Sequence, residues 1–307
     1  MKISVIIPLY NKRETILRAI NSVLVQSILP HELIVINDGS VDGSEKVIKE
    51  LKNPFIKLIE QKNSGVSRAR NKGISEATGD WVAFLDADDE WLPGFIEKVL
   101  SLSKNYPGST LIATAYFLEN CDGRREKIIL KKLPFKQEDG LLENYFKVAS
   151  FSSPPICSSS VVVKKSSLEN IGGFPIGIKS GEDLLTWARL AISNKIAYSV
   201  IPLSVFNIND NNKVSRMPEI PDLVGLELRS IDKKNKLPYL KNYIAVWHKM
   251  RASSYLALGY KKLAISEINK SIKYSIFSRA WFFIPFILVN NKTFLSASRR
   301  YRRLLTR

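Results

Sequence analysis

The first hundred residues alternate between short runs rich in β-branched side chains and longer amphipathic segments. Such alternation is typical of successive βαβ units, in which parallel strands form a sheet and helices cover its faces. It predicts an α/β fold with a doubly wound, mostly parallel sheet that binds ligands at the carboxyl ends of its strands. The predicted strands are 3–7, 32–36, 56–60 and 81–85, and the predicted helices are 13–26, 44–52 and 66–77.

The second half of the chain is less regular and changes character near residue 217. Between 93 and 202 the pattern predicts helices at 93–103, at 141–148 and from Glu182, strands at 111–118, 160–163 and 196–202, and a glycine-rich turn at 172–175. Beyond residue 217 only helical periodicity remains, and it predicts an antiparallel helix pair at 243–258 and 262–274 joined at Gly259. We therefore expect one domain at 1–216 and a helical extension at 217–307.

Polar side chains follow the first three predicted strands. Tyr10 comes after the first strand and can stack on a nucleobase, although a tyrosine at this position is also ordinary packing. Asp38 lies in an Asp-Gly turn, a common turn sequence, where a carboxylate can also accept hydrogen bonds from a base or a ribose. Arg70 lies early in a helix, against the helix dipole, which favours contact with an anion over a merely solvated role.

An acidic cluster follows the fourth predicted strand, with Asp86, Asp88, Asp89 and Glu90 close together. Carboxylates this close repel each other, whereas a divalent cation bridging to a diphosphate makes the cluster favourable. Mg²⁺ and Mn²⁺ prefer a few carboxylates together with phosphate oxygens. We therefore predict Asp88 as a metal ligand and Asp86 as a contact for a ribose or a metal-bound water, in preference to a solvated acidic turn.

A second acidic pair, Glu182 and Asp183, stands after Gly181 at the predicted start of a helix. The positive end of the helix dipole keeps an acid there ionised and ready to accept a proton. The pair is therefore predicted to be catalytic, and helix capping alone is the alternative.

Taken together, these motifs resemble the family 2 glycosyltransferases, inverting enzymes with the GT-A fold, over roughly residues 1–210. The resemblance implies a nucleotide-sugar donor, with a UDP-sugar favoured, bound within 1–100 and a saccharide or lipid-linked acceptor bound within 101–216. It also implies that Asp88 binds Mn²⁺ or Mg²⁺. Asp183, next to Glu182, is implied to be the general base. The donor contacts that it implies are Pro8, Tyr10, Asn11, Asp38, Arg70, Asp86 and Asp88.

One departure concerns a histidine that many members of that family carry after the last strand of the sheet. In that loop this chain has Phe206 to Asp210, so either Asn209 or Asp210 substitutes for the histidine or the pyrophosphate is held differently. The two histidines of the chain, His31 and His248, lie elsewhere and look incidental. Trp187 resembles the aromatic residue that follows the acidic pair in the family. It is expected either to line the acceptor site or to lie in the core.

The formal net charge of +17 indicates an anionic partner, and eight of the basic residues follow Ser271, where no acid occurs. The segment 280–291 is uncharged and rich in aromatics, and Arg299–Arg303 follow it. This pattern predicts that the tail binds an anionic membrane surface, with packing on the protein as the alternative. Two cysteines and the lack of a long apolar segment predict a cytoplasmic protein, peripheral at the inner face of the membrane.

Two other functions compete with glycosyl transfer. A sugar-phosphate nucleotidyltransferase also uses a doubly wound sheet and a metal, but it is expected to carry a glycine-rich basic loop where this chain has Pro8 to Asn11. A nucleic-acid-binding protein would account for the charge, yet the basic tail lacks a recognition motif. We therefore expect an enzyme that does not bind nucleic acid.

Overall fold

The computed structural model describes residues 1–208, 217–289 and 293–294. The chain divides into two compact units, the first made of 1–128, 133–143 and 154–207, and the second of 129–132, 144–153 and 208–307. The segment 144–153, expected in the first domain, thus groups with the helices of the second unit. The predicted boundary at Arg216 lies outside the described residues.

The elements are numbered in chain order. The strands are β1 Ile3–Leu9, β2 Glu32–Asp38, β3 Ile56–Gln61, β4 Trp81–Phe84, β5 Glu90–Trp91, β6 Leu111–Glu119, β7 Arg125–Lys127, β8 Asp139–Leu141, β9 Val161–Lys164 and β10 Ile196–Asn207. The helices are α1 Ile16–Leu24, α2 Ser44–Glu50, α3 Val66–Glu76, α4 Phe95–Asn105, α5 Tyr145–Phe151, α6 Lys165–Asn170, α7 Glu182–Ala191, α8 Leu223–Asn235, α9 Leu240–Leu258 and α10 Lys261–Tyr274.

The first unit is built on a sheet with the strand order β3-β2-β1-β4-β9-β6-β10-β5. Its first four strands are parallel, since β1 pairs in parallel with both β2 and β4, and β2 with β3. Parallel strands joined by helices bring their carboxyl ends to one edge. The motifs that follow β1, β2 and β4 therefore lie at the same edge, and the predicted α/β class is confirmed.

Beyond β4 the sheet is mixed. The short strand β9 runs antiparallel to its neighbours β4 and β6, while β10 returns parallel to β6. The predicted end of the last strand at Pro202 falls short, because β10 continues to Asn207. Its register shifts on both sides of Pro202 place the proline, which has no N–H to donate, at an irregularity.

Apolar side chains cover the parallel half of the sheet. Helix α1 presents Ile16, Ile20 and Val23, all fully buried, to the core that β1 and β2 form. Trp187 is fully buried as well and packs against Phe84 and Phe174, with ring centroids 6.3 and 5.7 Å away. Of the two positions expected for Trp187, the structure shows the one in the core.

The second unit is helical in its described residues, apart from short loops and 3₁₀ turns. Helices α9 and α10 form the predicted pair, and Gly259 ends α9 with a φ of +86°. Glycine adopts this left-handed conformation without a steric penalty, so the chain can turn sharply there. In the part of the chain that the structure describes, none of the helices has the length and apolar character needed to cross a bilayer.

His248 belongs to a buried polar network of this second unit. Its Nδ1 lies 2.6 Å from Glu267 Oε2, to which Arg251 Nε also donates at 3.3 Å. Burial alone would raise the pKa of Glu267, but hydrogen bonds from His248 and Lys270 outweigh it and lower that pKa to about 2. The network therefore ties α9 to α10 by charge-assisted hydrogen bonds.

Candidate active site

The loops after β1 and β2 are joined by a side-chain amide. The backbone N–H of Asn11 donates to Ser40 Oγ at 3.0 Å, and the backbone N–H of Val41 donates to Asn11 Oδ1 at 2.9 Å. Tyr10, which directly precedes Asn11, is 48% exposed. The structure thus brings the first two predicted motifs together and leaves the Tyr10 ring open for stacking, while a donor contact by Pro8, Tyr10 or Asn11 stays a prediction.

Asp38 is buried and holds the loop that leads into α3. Its Oδ1 accepts from Gln61 Nε2 at 2.7 Å and from the backbone N–H of Ser64 at 2.9 Å, and its Oδ2 accepts from the backbone N–H of Gly65 at 2.8 Å. These contacts fix the start of α3, the helix that carries Arg70. The contact of Asp38 with a donor base or ribose stays a prediction.

Arg70 is the central cation of the site, and its side chain is only 3% exposed. Its Nη2 donates to Asp86 Oδ1 at 2.8 Å and its Nη1 donates to Glu182 Oε1 at 3.1 Å. Burial alone would lower the pKa of the guanidinium, but the two carboxylates outweigh it and raise that pKa. Arg70 is therefore a permanent cation that joins two of the predicted motifs, and its predicted contact with the donor remains to be tested.

The glycine-rich turn 172–175 places the Phe174 ring against the Arg70 guanidinium. The guanidinium lies 5.0 Å from the centre of the Phe174 ring, a cation–π distance. Asn71 fixes this phenylalanine by accepting from its backbone N–H at 2.8 Å and donating to its carbonyl at 2.9 Å. A side chain at Gly173 would collide with Asn71 Oδ1, which is why this turn requires glycine.

The acid loop, defined here as residues 85–90, follows β4 and gives each of its carboxylates a separate partner. Asp88 Oδ2 accepts from Lys12 Nζ at 2.6 Å. Asp89 is buried and accepts from Ser159 Oγ at 2.5 Å and from the backbone N–H of Asn207 at 2.9 Å. Glu90 pairs with Arg125 and lies 3.8 Å from Arg18 Nε.

Asp89 differs from its neighbours because it lies in the interior. Burial raises its pKa well above the usual range, and the charges of Asp86 and Asp88 add to this effect. The hydrogen bonds from Ser159 and Asn207 oppose the shift without cancelling it. Asp89 therefore ties the acid loop to the end of β10 and is not positioned as an exposed ligand.

The two acids at the start of α7 have different hydrogen-bond partners. Gly181, with a φ of +84°, turns the chain so that Glu182 and Asp183 begin the helix. Glu182 points to Arg70, whereas the Asp183 carboxylate accepts a local hydrogen bond from the backbone N–H of Leu184 at 2.7 Å. Burial raises the pKa of Asp183 to about 7, and the Glu182 charge contributes to the shift against the opposing charge of Arg70. The prediction that the helix start keeps this acid ionised is therefore wrong near neutral pH, because burial outweighs the helix dipole.

The donor atoms at Asp88 fit a divalent cation. Its carboxylate already faces a positive group, the ammonium of Lys12, and its side chain remains 14% exposed. Mg²⁺ and Mn²⁺ prefer carboxylate oxygens of this kind and keep several positions for phosphate or water. Asp86 is 25% exposed, but its Oδ1 is bound to Arg70, whose side chain is only 3% exposed, whereas the Lys12 partner of Asp88 is 32% exposed.

Several residues of the site have no motif in the sequence that identifies them. They reach it only through contacts between residues that are far apart in the sequence. Lys12 contacts Asp88, 76 residues away, and Ser159 contacts Asp89, 70 residues away. Phe174 contacts Asn71, 103 residues away. Lys12 gives the one available hint, since it directly follows the motif that ends at Asn11. The predicted substitutes for the missing histidine, Asn209 and Asp210, lie outside the described residues.

A scan against protein-family models matches residues 4–172 to the model described as glycosyl transferase family 2. The glycosyltransferase YibD of Escherichia coli is 43% identical over 104 residues, which are 33% of this chain and 30% of YibD. The glycosyltransferase GlyA of Streptococcus pneumoniae is 29% identical over 203 residues, 64% of this chain and 29% of GlyA. The chain thus matches less than a third of the length of these two curated relatives.

Among solved structures, the chain is similar to S. aureus TarS 1–349 in complex with UDP-GlcNAc. The TM-score is 0.66 at 18% sequence identity, and the match covers 98% of this chain and 92% of that one. At this identity the likeness concerns the fold. It extends over both units of the chain, including the helices that follow the sheet.

Proposed function

The chain belongs to glycosyltransferase family 2, and from that premise we propose that it transfers a sugar from a nucleotide-diphosphate sugar to an acceptor hydroxyl, with inversion at the anomeric carbon. Its fold is the GT-A fold, as the sequence predicts. The proposal adds the donor, the stereochemistry and the roles of individual residues to this family membership.

One observation carries the proposal. The guanidinium of Arg70 binds Asp86 and Glu182 at once, at 2.8 and 3.1 Å. Asp86 lies two positions from Asp88, and Glu182 is next to Asp183. A single buried cation therefore connects the predicted metal-binding loop to the start of the helix that carries the predicted general base. A displacement at one carbon needs these two groups close together, which supports the proposal.

Asp183 is proposed as the general base. A base acts best when its pKa lies near the working pH, and the pKa of Asp183 is raised to about 7. Its carboxylate takes the proton of the acceptor hydroxyl, the acceptor oxygen bonds to the anomeric carbon, and the bond from that carbon to the diphosphate breaks. Glu182 is committed to Arg70, so we assign it a positioning role beside the base.

Asp88 is proposed to hold Mn²⁺ or Mg²⁺, with Asp86 close by. A cation bound there neutralises the charge that develops on the departing diphosphate. The chain's own contribution is to present the Asp88 carboxylate, while Arg70 and the buried contacts of Asp89 keep the rest of the acid loop in place.

A UDP-sugar is the proposed donor, because the similar TarS fragment was solved with UDP-GlcNAc. Tyr10 is proposed to stack on the base, since its ring is exposed next to the β2 loop. The acceptor is proposed to be a saccharide or a lipid-linked molecule, as in the assembly of a cell-surface polysaccharide or glycolipid.

The second unit is proposed to touch an anionic membrane at the cytoplasmic face. The segment Ala280–Ile287 divides its aromatic side chains between two environments. Phe283 and Phe286 pack with Phe294 inside the unit, whereas Trp281 and Phe282 are 44% and 49% exposed and stack on each other. Exposed aromatics beside basic residues favour the headgroup region of an anionic bilayer. The predicted basic cluster Arg299–Arg303 lies outside the described residues.

The reaction is tested by incubating the purified protein with a panel of nucleotide sugars and Mn²⁺, without and with candidate acceptors. Release of a nucleoside diphosphate from one donor, lost on adding EDTA, supports the proposal. Pyrophosphate release from a nucleoside triphosphate and a sugar phosphate would instead support the nucleotidyltransferase alternative. Product analysis by NMR gives the anomeric configuration, and retention would contradict the proposed single displacement.

A further inference from the structure

The four carboxylates of the acid loop are held in different ways. Asp86 is bound by the buried Arg70, Asp89 is bound by Ser159 and a backbone N–H, and Glu90 pairs with Arg125. For Asp88, the side-chain carboxylate pairs with Lys12, whose side chain is 32% exposed. The position proposed to bind a metal therefore has a cationic partner that can reach solvent.

The backbone of Lys12 is fixed while its ammonium is at the end of a flexible chain. Its N–H donates to Ser44 Oγ at 3.1 Å, and its carbonyl accepts from the N–H groups of Thr15 and Ile16 at 3.1 and 2.9 Å. The four-carbon side chain of lysine keeps several rotatable bonds beyond this anchor. The ammonium can therefore leave Asp88 without a change in the loop that carries it.

The acid loop keeps its place by a separate contact. Arg18 Nη2 donates to the backbone carbonyl of Asp88 at 2.5 Å, and Arg18 itself lies on α1. The side-chain pair between Lys12 and Asp88 is thus not needed to position the Asp88 backbone. Its most direct effect is electrostatic, as it neutralises a carboxylate within an acidic cluster.

We propose that Lys12 is the counterion of Asp88 in the ligand-free protein and becomes a ligand of the donor diphosphate once Asp88 has bound its metal. This inference rests on the proposed function. The Lys12 ammonium lies 2.6 Å from Asp88 Oδ2, so a divalent cation bound to the same carboxylate would repel it, and the diphosphate that accompanies the metal offers the ammonium a new anion. Metal and donor are then favoured to bind together, because Lys12 opposes the metal alone and stabilises the pair.

The proposal predicts opposite effects for one substitution. In Lys12→Gln, Asp88 loses its competing cation, so Mn²⁺ binds about threefold more tightly without nucleotide, the size expected for a partly exposed ion pair. UDP in the presence of saturating Mn²⁺ binds about tenfold more weakly, because a charge-assisted contact to phosphate is lost. A purely structural lysine gives no such reversal of sign.

Titration calorimetry with Mn²⁺ alone and with UDP plus Mn²⁺ tests the proposal on the full chain, with thermal melting as a check that each variant folds. Lys98→Gln is the matched control. Lys98 forms a similarly half-buried ion pair, with 3.1 Å between its Nζ and Asp139 Oδ2, and neither residue belongs to the acid loop. It should leave both affinities unchanged. Equal shifts in both titrations, or none, for Lys12→Gln overturn the proposal for Lys12.

Asp88→Asn separates this inference from the proposed function. If Asp88 is the metal ligand, this variant loses Mn²⁺ binding, whatever the result for Lys12→Gln. Wild-type Mn²⁺ affinity in Asp88→Asn would overturn the metal site, and with it the role of Lys12. Loss of Mn²⁺ binding in Asp88→Asn combined with unchanged affinities in Lys12→Gln overturns the Lys12 inference alone.

Discussion

Arg70 and Glu182 are separated by 112 residues in the sequence, and their side chains form a buried ion pair with a distance of 3.1 Å between Nη1 and Oε1. Because the same guanidinium also holds Asp86, the pair connects the loop after β4 to the start of α7. The two halves of the proposed catalytic machinery are thus positioned by a permanent positive charge in the interior.

Substitution of Arg70 is expected to lower stability as well as activity. Arg70→Met leaves the buried Glu182 carboxylate and the 25% exposed Asp86 carboxylate without their counterion, with an expected loss of about 3 kcal/mol. Arg70→Lys keeps the charge but not the two-pronged geometry, so its loss is expected to be intermediate. Urea unfolding monitored by circular dichroism measures both values, and a wild-type midpoint for Arg70→Met would contradict the bridging role.

Asp183→Asn is expected to abolish transfer and to leave donor binding largely intact. The amide cannot accept the proton of the acceptor, so kcat should fall by about 100-fold to 10,000-fold. The dissociation constant of UDP with Mn²⁺ should stay within about twofold. Asp80→Asn, which changes an exposed acid of the same unit, is the control and should leave both values unchanged. Weakened UDP binding with normal turnover would contradict the assignment.

Activity is expected to rise with pH up to neutrality. Only the ionised carboxylate of Asp183 can accept a proton, and its pKa is raised to about 7. At constant donor and metal, kcat/KM for the acceptor should therefore fall about tenfold per pH unit well below pH 7 and level off above it. A profile without an inflection between about pH 6 and 8 would remove the support that this pKa gives to the role of Asp183.

Two substitutions of Asp89 are expected to differ sharply in stability. Asp89→Ala removes the acceptor for the Asn207 N–H and the partner of Ser159 in the interior, with an expected loss of about 2 to 3 kcal/mol. Asp89→Asn keeps the side-chain shape and the acceptor for the Asn207 N–H, but its amide NH₂ cannot accept from Ser159, so a smaller loss of about 1 kcal/mol is expected. Chemical unfolding of both variants tests this, and equal losses would show that the hydrogen bonds are not the cause.

Binding to membranes is expected to depend on the exposed aromatic pair. The wild-type chain should sediment with vesicles that contain anionic lipid, less so at high salt. The double substitution Trp281→Ser with Phe282→Ser should reduce the bound fraction several-fold. Leu226→Ser, at another exposed apolar side chain of the second unit, is the control. Equal binding of the double variant and the wild type would rule out this surface.

Much of the fold followed from local patterns in the sequence. The periods of strand and helix predicted β1, β2, β3 and β4 and the helix pair α9 and α10 within a few residues. The strand-end motifs predicted which edge of the sheet carries the site, because parallel strands joined by helices leave little choice of direction. The prediction failed for the end of β10, where the strand passes Pro202 by shifting its register.

The tertiary structure alone decided the partner of each charged side chain. The sequence indicated that Asp86, Asp88 and Asp89 act together, but the structure gives them three different partners, which are Arg70, Lys12 and the Ser159 and Asn207 pair. Charges such as Lys12 and Asp88 meet across 76 residues only when the sheet and its helices have packed. Local sequence fixes which backbone segments form, whereas the pairing of distant charges depends on the distances and the burial that packing creates.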